Sequence, residues 1–589
     1  MFDKNKEDEV SSQTPTSEVD RELEQEEDDL AIEEIQPFSN VSTSAAGVID
    51  EKTSGSESDE KASIKGGSGI VTTVPIQETD KETEAGLAAV QSQPEGPPPP
   101  PYSRFTHRQK IGITLTVSFL AIISPLSGQI YLPALNSLAA DLHVPVSSIN
   151  LTITTFMIFQ GITPSFIGNF SDVYGRRPAY LICFSIYVLA NLGLALQNSY
   201  AALMVLRCFQ SMGSSATISL SSATVADLVT RAERGKFIGF AAMGVTLGPA
   251  LGPVAGGLLT QYFGWHGIFW FLLILSSVLF SFMFCFLPET CRNIVGNGSV
   301  LPPWWNMSLY QFLKTRRLTV AERAAVGDHS TLARGRRRPN PFAALKILLE
   351  REGGVTLGCG SLLAGGYFMV TTTLSEQLRD RFGFSPVTVG LCYLPLGFGT
   401  LSSRWTIGLL LDWNFRRWAR MLGLKIDLNK QQNLDQFPIE KIRLQISICA
   451  IYMASVAVIA YGWTMESHAS LAGIEVALFF MGVFFAGAMN GINTLIVDTH
   501  PESPATAVAA NNLFRCFISS GGTAIALPLI NRIGMGFTAV LIAGVWVAFS
   551  PVLWLVMFRG AEWRKATMAK KKAKEEAKEA KKAAASSNV

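Results

Sequence analysis

Two arginines stand in stretches of the chain that otherwise carry no charge. Arg207 lies within Leu206-Arg207-Cys208-Phe209-Gln210-Ser211-Met212-Gly213, and Arg515 closes Asn511-Asn512-Leu513-Phe514-Arg515. A charge well inside a bilayer costs roughly 3 kcal/mol even on the mildest scale, so each is expected to face a cavity and to have a function. Arginine meets a carboxylate through a planar two-pronged fork, and two arginines from different parts of the chain could clamp a di- or tricarboxylate. Gln129, Gln160, Gln210, Ser211, Asn490, Asn493, Asn511 and Asn512 could add uncharged contacts to a solute. Amides also bond helix to helix within membranes, which is the alternative for each of them. Asp227, Glu376, Glu475 and Asp498 fall at or near the ends of the apolar stretches. An interior that is positive, without a central carboxylate as counter-ion, favours anionic or neutral cargo over lipophilic cations.

A second constellation is a short polar turn, Gly168-Asn169-Phe170-Ser171-Asp172-Val173-Tyr174-Gly175-Arg176-Arg177-Pro178, wedged between two apolar runs. Gly168 would let two helices approach closely, Asp172 can accept hydrogen bonds from a helix N-terminus, and Arg176 and Arg177 suit the lipid face. Such a charge cluster could latch one conformation of a moving carrier. The Gly, the Asp and the Arg pair recur at the same spacing as Gly408, Asp412, Arg416 and Arg417. This internal duplication indicates two related halves, an arrangement that places a transport site at the seam between them. A third pattern, Gly244, Gly248, Gly252 and Gly256, spaces glycine every four residues and carries Pro249, Pro253 and Gly257 among them. Glycine at that spacing makes a flat face for close helix contact, while each proline frees a carbonyl and permits a bend.

These residues must be positioned by membrane helices. The charged fraction is only 16% and the mean hydropathy is +0.26. Spans need ~20 apolar residues. Six fit near 111–132, 150–167, 179–197, 201–226, 237–260 and 266–287, and six more near 355–375, 387–411, 444–464, 472–497, 506–530 and 536–558. The fold expected is therefore all-α: twelve transmembrane helices in two six-helix halves, residues 104–287 and 355–560, joined by a middle loop over 288–354. Arg176, Arg177, Arg231, Arg234, Lys236, the Arg334–Arg338 cluster, Arg416, Arg417 and Arg420 all fall on one side. That side, with both termini and the middle loop, is expected to be cytoplasmic. Residues 1–103 are acidic, Ser/Thr-rich and poor in aromatics, and end in the Pro97–Pro101 run, so they are expected to be disordered. Residues 561–589 form a Lys/Ala/Glu tail with a basic excess, suited either to anionic inner-leaflet lipid or to plain solvation. All cysteines but Cys291 fall inside apolar segments without metal-ligand spacing and read as small core residues. No nucleotide loop, nucleophile elbow, metal cluster or cofactor motif appears, and nothing points to nucleic acid, so an enzyme is the least favoured class.

The Gly168-to-Arg177 turn resembles the signature between spans two and three of the major facilitator superfamily. Val173 departs from it, since the family usually has Arg after the acidic residue; a latch would have to be rebuilt through Asp227, Arg231, Glu233 or Arg234. The Arg207 block is similar to the superfamily's span-four motif, which implies a part in proton transfer. The Gly244-to-Gly257 run resembles the antiporter signature of drug:proton exporters, which implies export. Ser124-Pro125-Leu126-Ser127-Gly128-Gln129-Ile130-Tyr131-Leu132-Pro133, Leu287-Pro288-Glu289-Thr290 and Asn511-to-Arg515 narrow the resemblance to the fungal twelve-span antiporters of the quinidine-resistance branch, which also holds citrate exporters. The resemblance covers about residues 100–560. It implies a monomeric carrier of the plasma membrane whose partners are protons and a small organic solute, a drug, toxin or organic acid. A broad exporter and a dedicated organic-anion exporter of the citrate type both remain open, as does a solute sensor that signals through its tails.

Overall fold

In the computed structural model of this chain the described residues are 103–229, 234–317, 347–422, 438–500 and 504–586. The acidic tail, Arg231, Glu233 and the Arg334–Arg338 cluster lie outside them. Every regular element among the described residues is helical. Among the described residues nine helices are long and apolar enough to cross a membrane. Spans one to four are His107–Gln129, Val146–Tyr174, Arg176–Leu196 and Tyr200–Leu228. Spans five and six share Arg234–Phe286, 53 residues that as one rod would reach about 80 Å, far beyond the bilayer. Gly264 breaks the rod with φ 69° and ψ 175°, a conformation glycine adopts without strain. Span seven is Arg351–Phe382, and nine to eleven are Ile439–Glu466, Leu471–Thr499 and Pro504–Ile533. Span twelve opens the helix Met535–Ser586, so the basic tail continues that span as helix.

Local chemistry explains the ends. Span one starts on a capping box in which Thr106 Oγ1 accepts from Gln109 N and Gln109 Oε1 accepts from Thr106 N. Gly175, at φ 113°, ends span two and lets span three begin at once. Its counterpart in the repeat is Phe415, which cannot take that conformation without strain, so the helix Ile407–Met421 runs straight through Asp412, Arg416 and Arg417. The second copy of the motif is thus helical surface rather than a turn.

Span eight also departs from the continuous segment expected over 387–411. It is built from Pro386–Leu391, Leu394–Ser402 and Ile407–Met421. Between the last two pieces Arg404 N bonds Leu401 O at 3.2 Å and Gly408 N bonds Ser403 O at 3.0 Å, which are turn contacts rather than helix continuation. Broken membrane helices are tolerated where the irregular backbone lines a cavity.

The glycine pattern of span five fits the surfaces on both sides of it. A Cβ on Gly244 would stand 2.2 Å from Ser118 O and one on Gly256 2.0 Å from Ile130 O, both in or just after span one. Across the seam, a Cβ on Gly257 would meet Pro386 O at 2.4 Å, one on Gly390 would meet Pro253 O at 2.5 Å, and one on Gly397 would meet Ala250 Cα at 2.7 Å. Span five therefore touches span one along its length and span eight from mid-depth to one face.

That face is the outer one if the face carrying Asp172, Arg176 and Asp227 is called inner. Buried apolar residues of the N-terminal half near the outer face, including Leu135, Ile149, Leu203 and Trp265, join one core with the C-terminal half. Those nearer the inner face, such as Ile113, Tyr180, Leu220 and Phe237, form a separate cluster. The two halves are packed together on the outer side.

Candidate functional site

A cavity of about 290 Å³ lies at the seam. Gln129 and Gln160 line it from the first half, and Asn490 and Arg515 from the second. Arg515 Nη2 donates to Asn512 Oδ1 at 2.8 Å, and Asn512 Nδ2 donates across the seam to Gln160 O at 3.0 Å. Asn512 thus holds the arginine instead of facing the solute space. Asn511 does the same for the lining residue Asn493, to which its amide donates. Phe156 and the Tyr367–Phe485 stack supply apolar wall.

Arg207 is not among the lining residues. It is fully buried within the first half, its guanidinium 4.2 Å from the ring centres of both Tyr131 and Phe156. Its Nη1 donates to Gln210 Oε1 at 2.6 Å and Ser127 O at 3.4 Å, and Gln210 Nε2 donates to Asn191 Oδ1 at 2.7 Å. Among the described residues Nε and Nη2 have no hydrogen-bond partner. Ser211 Oγ donates to Phe156 O at 2.6 Å, fixing the helix whose ring separates Arg207 from the cavity. The expected clamp of Arg207 with Arg515 is therefore not assembled in this state, because Phe156 lies between the first arginine and the solute space. Cavity-lining Arg404 is absent from the residues expected above, although Ser402-Ser403-Arg404 interrupts an apolar run much as Arg207 and Arg515 do.

The inner-face cluster is a network within the first half. Arg176 pairs with Asp172 at 2.6 Å and with Asp227 at 2.9 Å, tying spans two, three and four. Glu289, after span six, accepts N–H bonds from Arg176 at 2.9 Å, Arg177 at 3.1 Å, Thr290 at 2.9 Å and Cys291 at 2.8 Å. A Cβ on Gly175 would lie 2.4 Å from Glu289 Oε2, so glycine is required there for space as well as conformation. Arg177 is held by Phe284 O at 2.9 Å. Burial pushes the neighbouring Cys291 thiol up to about 12, which leaves it protonated and inert. Gly168 differs from expectation: nothing among the described residues stands within 4 Å of where its Cβ would be, so it mediates no close helix approach among them. In the second half Asp412, Arg416 and Arg417 are exposed, with Arg417 over the Trp413 ring at 5.5 Å. The pair that corresponds in position to Arg176–Asp227 is Arg443–Asp498 at 3.2 Å, from the start of span nine to the end of span ten.

A profile of the Major Facilitator Superfamily matches residues 117–523. The chain belongs to this superfamily. Among superfamily relatives, the MFS-type transporter R5 of Phoma sp. is 45% identical over 469 residues, covering 80% of this chain and 88% of that one. Citrate exporter 1 of Aspergillus niger is 34% identical over 516 residues, covering 85% of this chain and 97% of its own length. The partially occluded inward-open structure of the xylose transporter XylE from E. coli matches with a TM-score of 0.51 at 15% identity, over 76% of this chain and 97% of that one. This likeness concerns the fold alone. Major Facilitator membership, with relatives named as transporters, makes this chain a multi-pass membrane protein that moves small solutes.

Proposed function

We propose that the chain is a proton-coupled antiporter that exports a small organic solute across the plasma membrane by alternating access, as a monomer with both termini cytoplasmic. The observation that carries this reading is the seam cavity, bounded by halves whose cores merge only on the outer side. Solute would enter from the inner side and leave after the halves rock about span five and its glycine contacts. The span-five signature supports export, and so does the name of the relative from Aspergillus niger. Arg207, buried with two unpartnered nitrogens beside a cavity wall, is the residue we assign to coupling. The Asp172–Arg176–Asp227 network keeps the first half rigid as it moves. A dedicated organic-anion exporter is the second reading, favoured by the cationic lining of the cavity.

The test uses purified protein in vesicles preloaded with labelled citrate or with ethidium. Efflux of either that accelerates at least about tenfold under an imposed proton gradient is the expected result. Equal rates with and without the gradient would remove proton coupling, and no efflux of either would remove export of both solute classes.

A further inference from the structure

Of the buried side-chain nitrogens and oxygens that lack a hydrogen-bond partner among the described residues, only Ser124 Oγ and Ser519 Oγ belong to residues lining the seam cavity. Both side chains are fully buried, so bulk water does not satisfy them either. Neighbouring hydroxyls bond back along their own helix, as Ser127 does to Ile123 O at 2.6 Å and Ser520 to Phe517 O at 2.8 Å. Ser124 and Ser519 lack that bond. Ser124 stands at the middle of the apolar stretch His107–Asp141, and Ser519 at the middle of Thr506–Ile533. Both stretches run from the inner face to the outer one, so the two hydroxyls lie at similar depth, one on each half. An unpaired buried hydroxyl costs the desolvation of that group, and a ligand that pairs with it recovers the cost. The lining arginines make no such demand: Arg515 donates to Asn512 at 2.8 Å, and Arg404 has an interaction of its own. The wall also holds Phe156 and the Tyr367–Phe485 pair, parallel to within 5° with ring centres 4.0 Å apart, which suits an apolar body.

We propose that Ser124 and Ser519 determine the specificity of the solute site, and that it takes uncharged solutes with an apolar body and a hydroxyl or carbonyl oxygen at either end. This deepens the exporter reading and rests on it. Each serine reads one oxygen, and a solute that lacks either oxygen leaves a buried hydroxyl unpaired. Because the serines belong to different halves, a solute carrying both oxygens bridges the two.

The probes are 2,6-dihydroxynaphthalene, 2-naphthol and naphthalene, with citrate and ethidium as charged controls. Binding is measured on the full-length chain in detergent, corrected for partition into protein-free micelles. Each hydroxyl should tighten binding about tenfold, which puts the diol about a hundredfold ahead of naphthalene. Ser124→Ala and Ser519→Ala should each remove one tenfold step, and the double variant the whole preference. The melting temperature should hold or rise in each, since an unpaired hydroxyl gives way to an apolar group of similar shape. A serine that served only the fold would instead lose melting temperature on substitution and leave the probe series untouched, which would overturn the site. Equal binding of the three naphthalenes, absence of binding, tighter binding of citrate or ethidium than of the diol, or a preference that survives the double variant would each overturn it too. A vesicle arm, scored against the leak of protein-free vesicles, separates the two readings. Diol preference without protein-dependent efflux of diol, citrate or ethidium removes the exporter while the site stands. Efflux of citrate or ethidium without diol preference removes the site and leaves the exporter.

Discussion

Arg207 shows what a single residue's identity settles. Its burial follows from its presence in an uncharged run, because a span cannot hold a charge facing lipid at tolerable cost. Its direction does not follow, since hydropathy carries no information about which residue of a neighbouring span will intervene. Here Phe156 intervenes, and the guanidinium lies between two aromatic faces, an arrangement worth ~2 kcal/mol or more when desolvated. Replacing a buried charge by a well-packed apolar group is often neutral or stabilising. Arg207→Met should therefore keep or raise the melting temperature while lowering proton-driven efflux by about a hundredfold, roughly the 3 kcal/mol expected of a lost coupling group. Arg207→Lys should fail similarly, because an ammonium lacks the planar fork and the stacking surface. Wild-type efflux in Arg207→Met would reduce Arg207 to a packing residue. Glu289 makes the opposite case: its four backbone N–H partners belong to loops and helix starts. No spacing rule would have paired it with Gly175, so the Leu287-to-Thr290 fragment was visible only as a resemblance.

At the scale of elements, periodicity located the spans and the glycine face of span five, since both are repeats that geometry demands. It could not tell which glycines touch a neighbour. Gly256 faces Ile130 O at 2.0 Å from its would-be Cβ, whereas Gly168 faces open space. Gly256→Ala should therefore force spans one and five apart and cost ~1–3 kcal/mol, read as a clear drop in melting temperature. Gly168→Ala should leave the melting temperature unchanged, and any loss of turnover it causes would place the close approach of Gly168 in the other conformation. The duplicated motif was legible as a duplication, but its use differs between halves for want of one glycine: Gly175 breaks the helix and Phe415 does not. The ion pair moved with it, to Arg443 and Asp498. Reversing both charges there, Arg443→Asp with Asp498→Arg, should recover most of the transport that either single change removes. Failure of the double variant to exceed the singles in efflux rate would mean that the two residues act separately.

The molecule as a whole is two bundles whose cores fuse on the outer side and part toward the inner side. Neither the merging nor the parting is written in local sequence, because each depends on which of several balanced states the halves adopt. A carrier that alternates must break the outer contacts of this state, which include, beside the merged apolar core, glycine against backbone at Gly257–Pro386 and Gly390–Pro253, and a side-chain bond from Val387 N to Gln261 Oε1 at 3.3 Å. Close backbone contact without bulky interlock is strong in dispersion yet can be separated without stranding a buried charge. Holding it closed should therefore stop transport while sparing the cavity. Joining Gln261→Cys to Val387→Cys with a short bis-methanethiosulfonate, each thiolate displacing one sulfinate, after replacement of the 8 native cysteines, should abolish efflux while solute binding from the inner side keeps its affinity. The uncrosslinked double variant should transport normally. Persistent efflux after complete cross-linking would mean that the outer seam does not open during the cycle, and alternating access about span five would have to be abandoned.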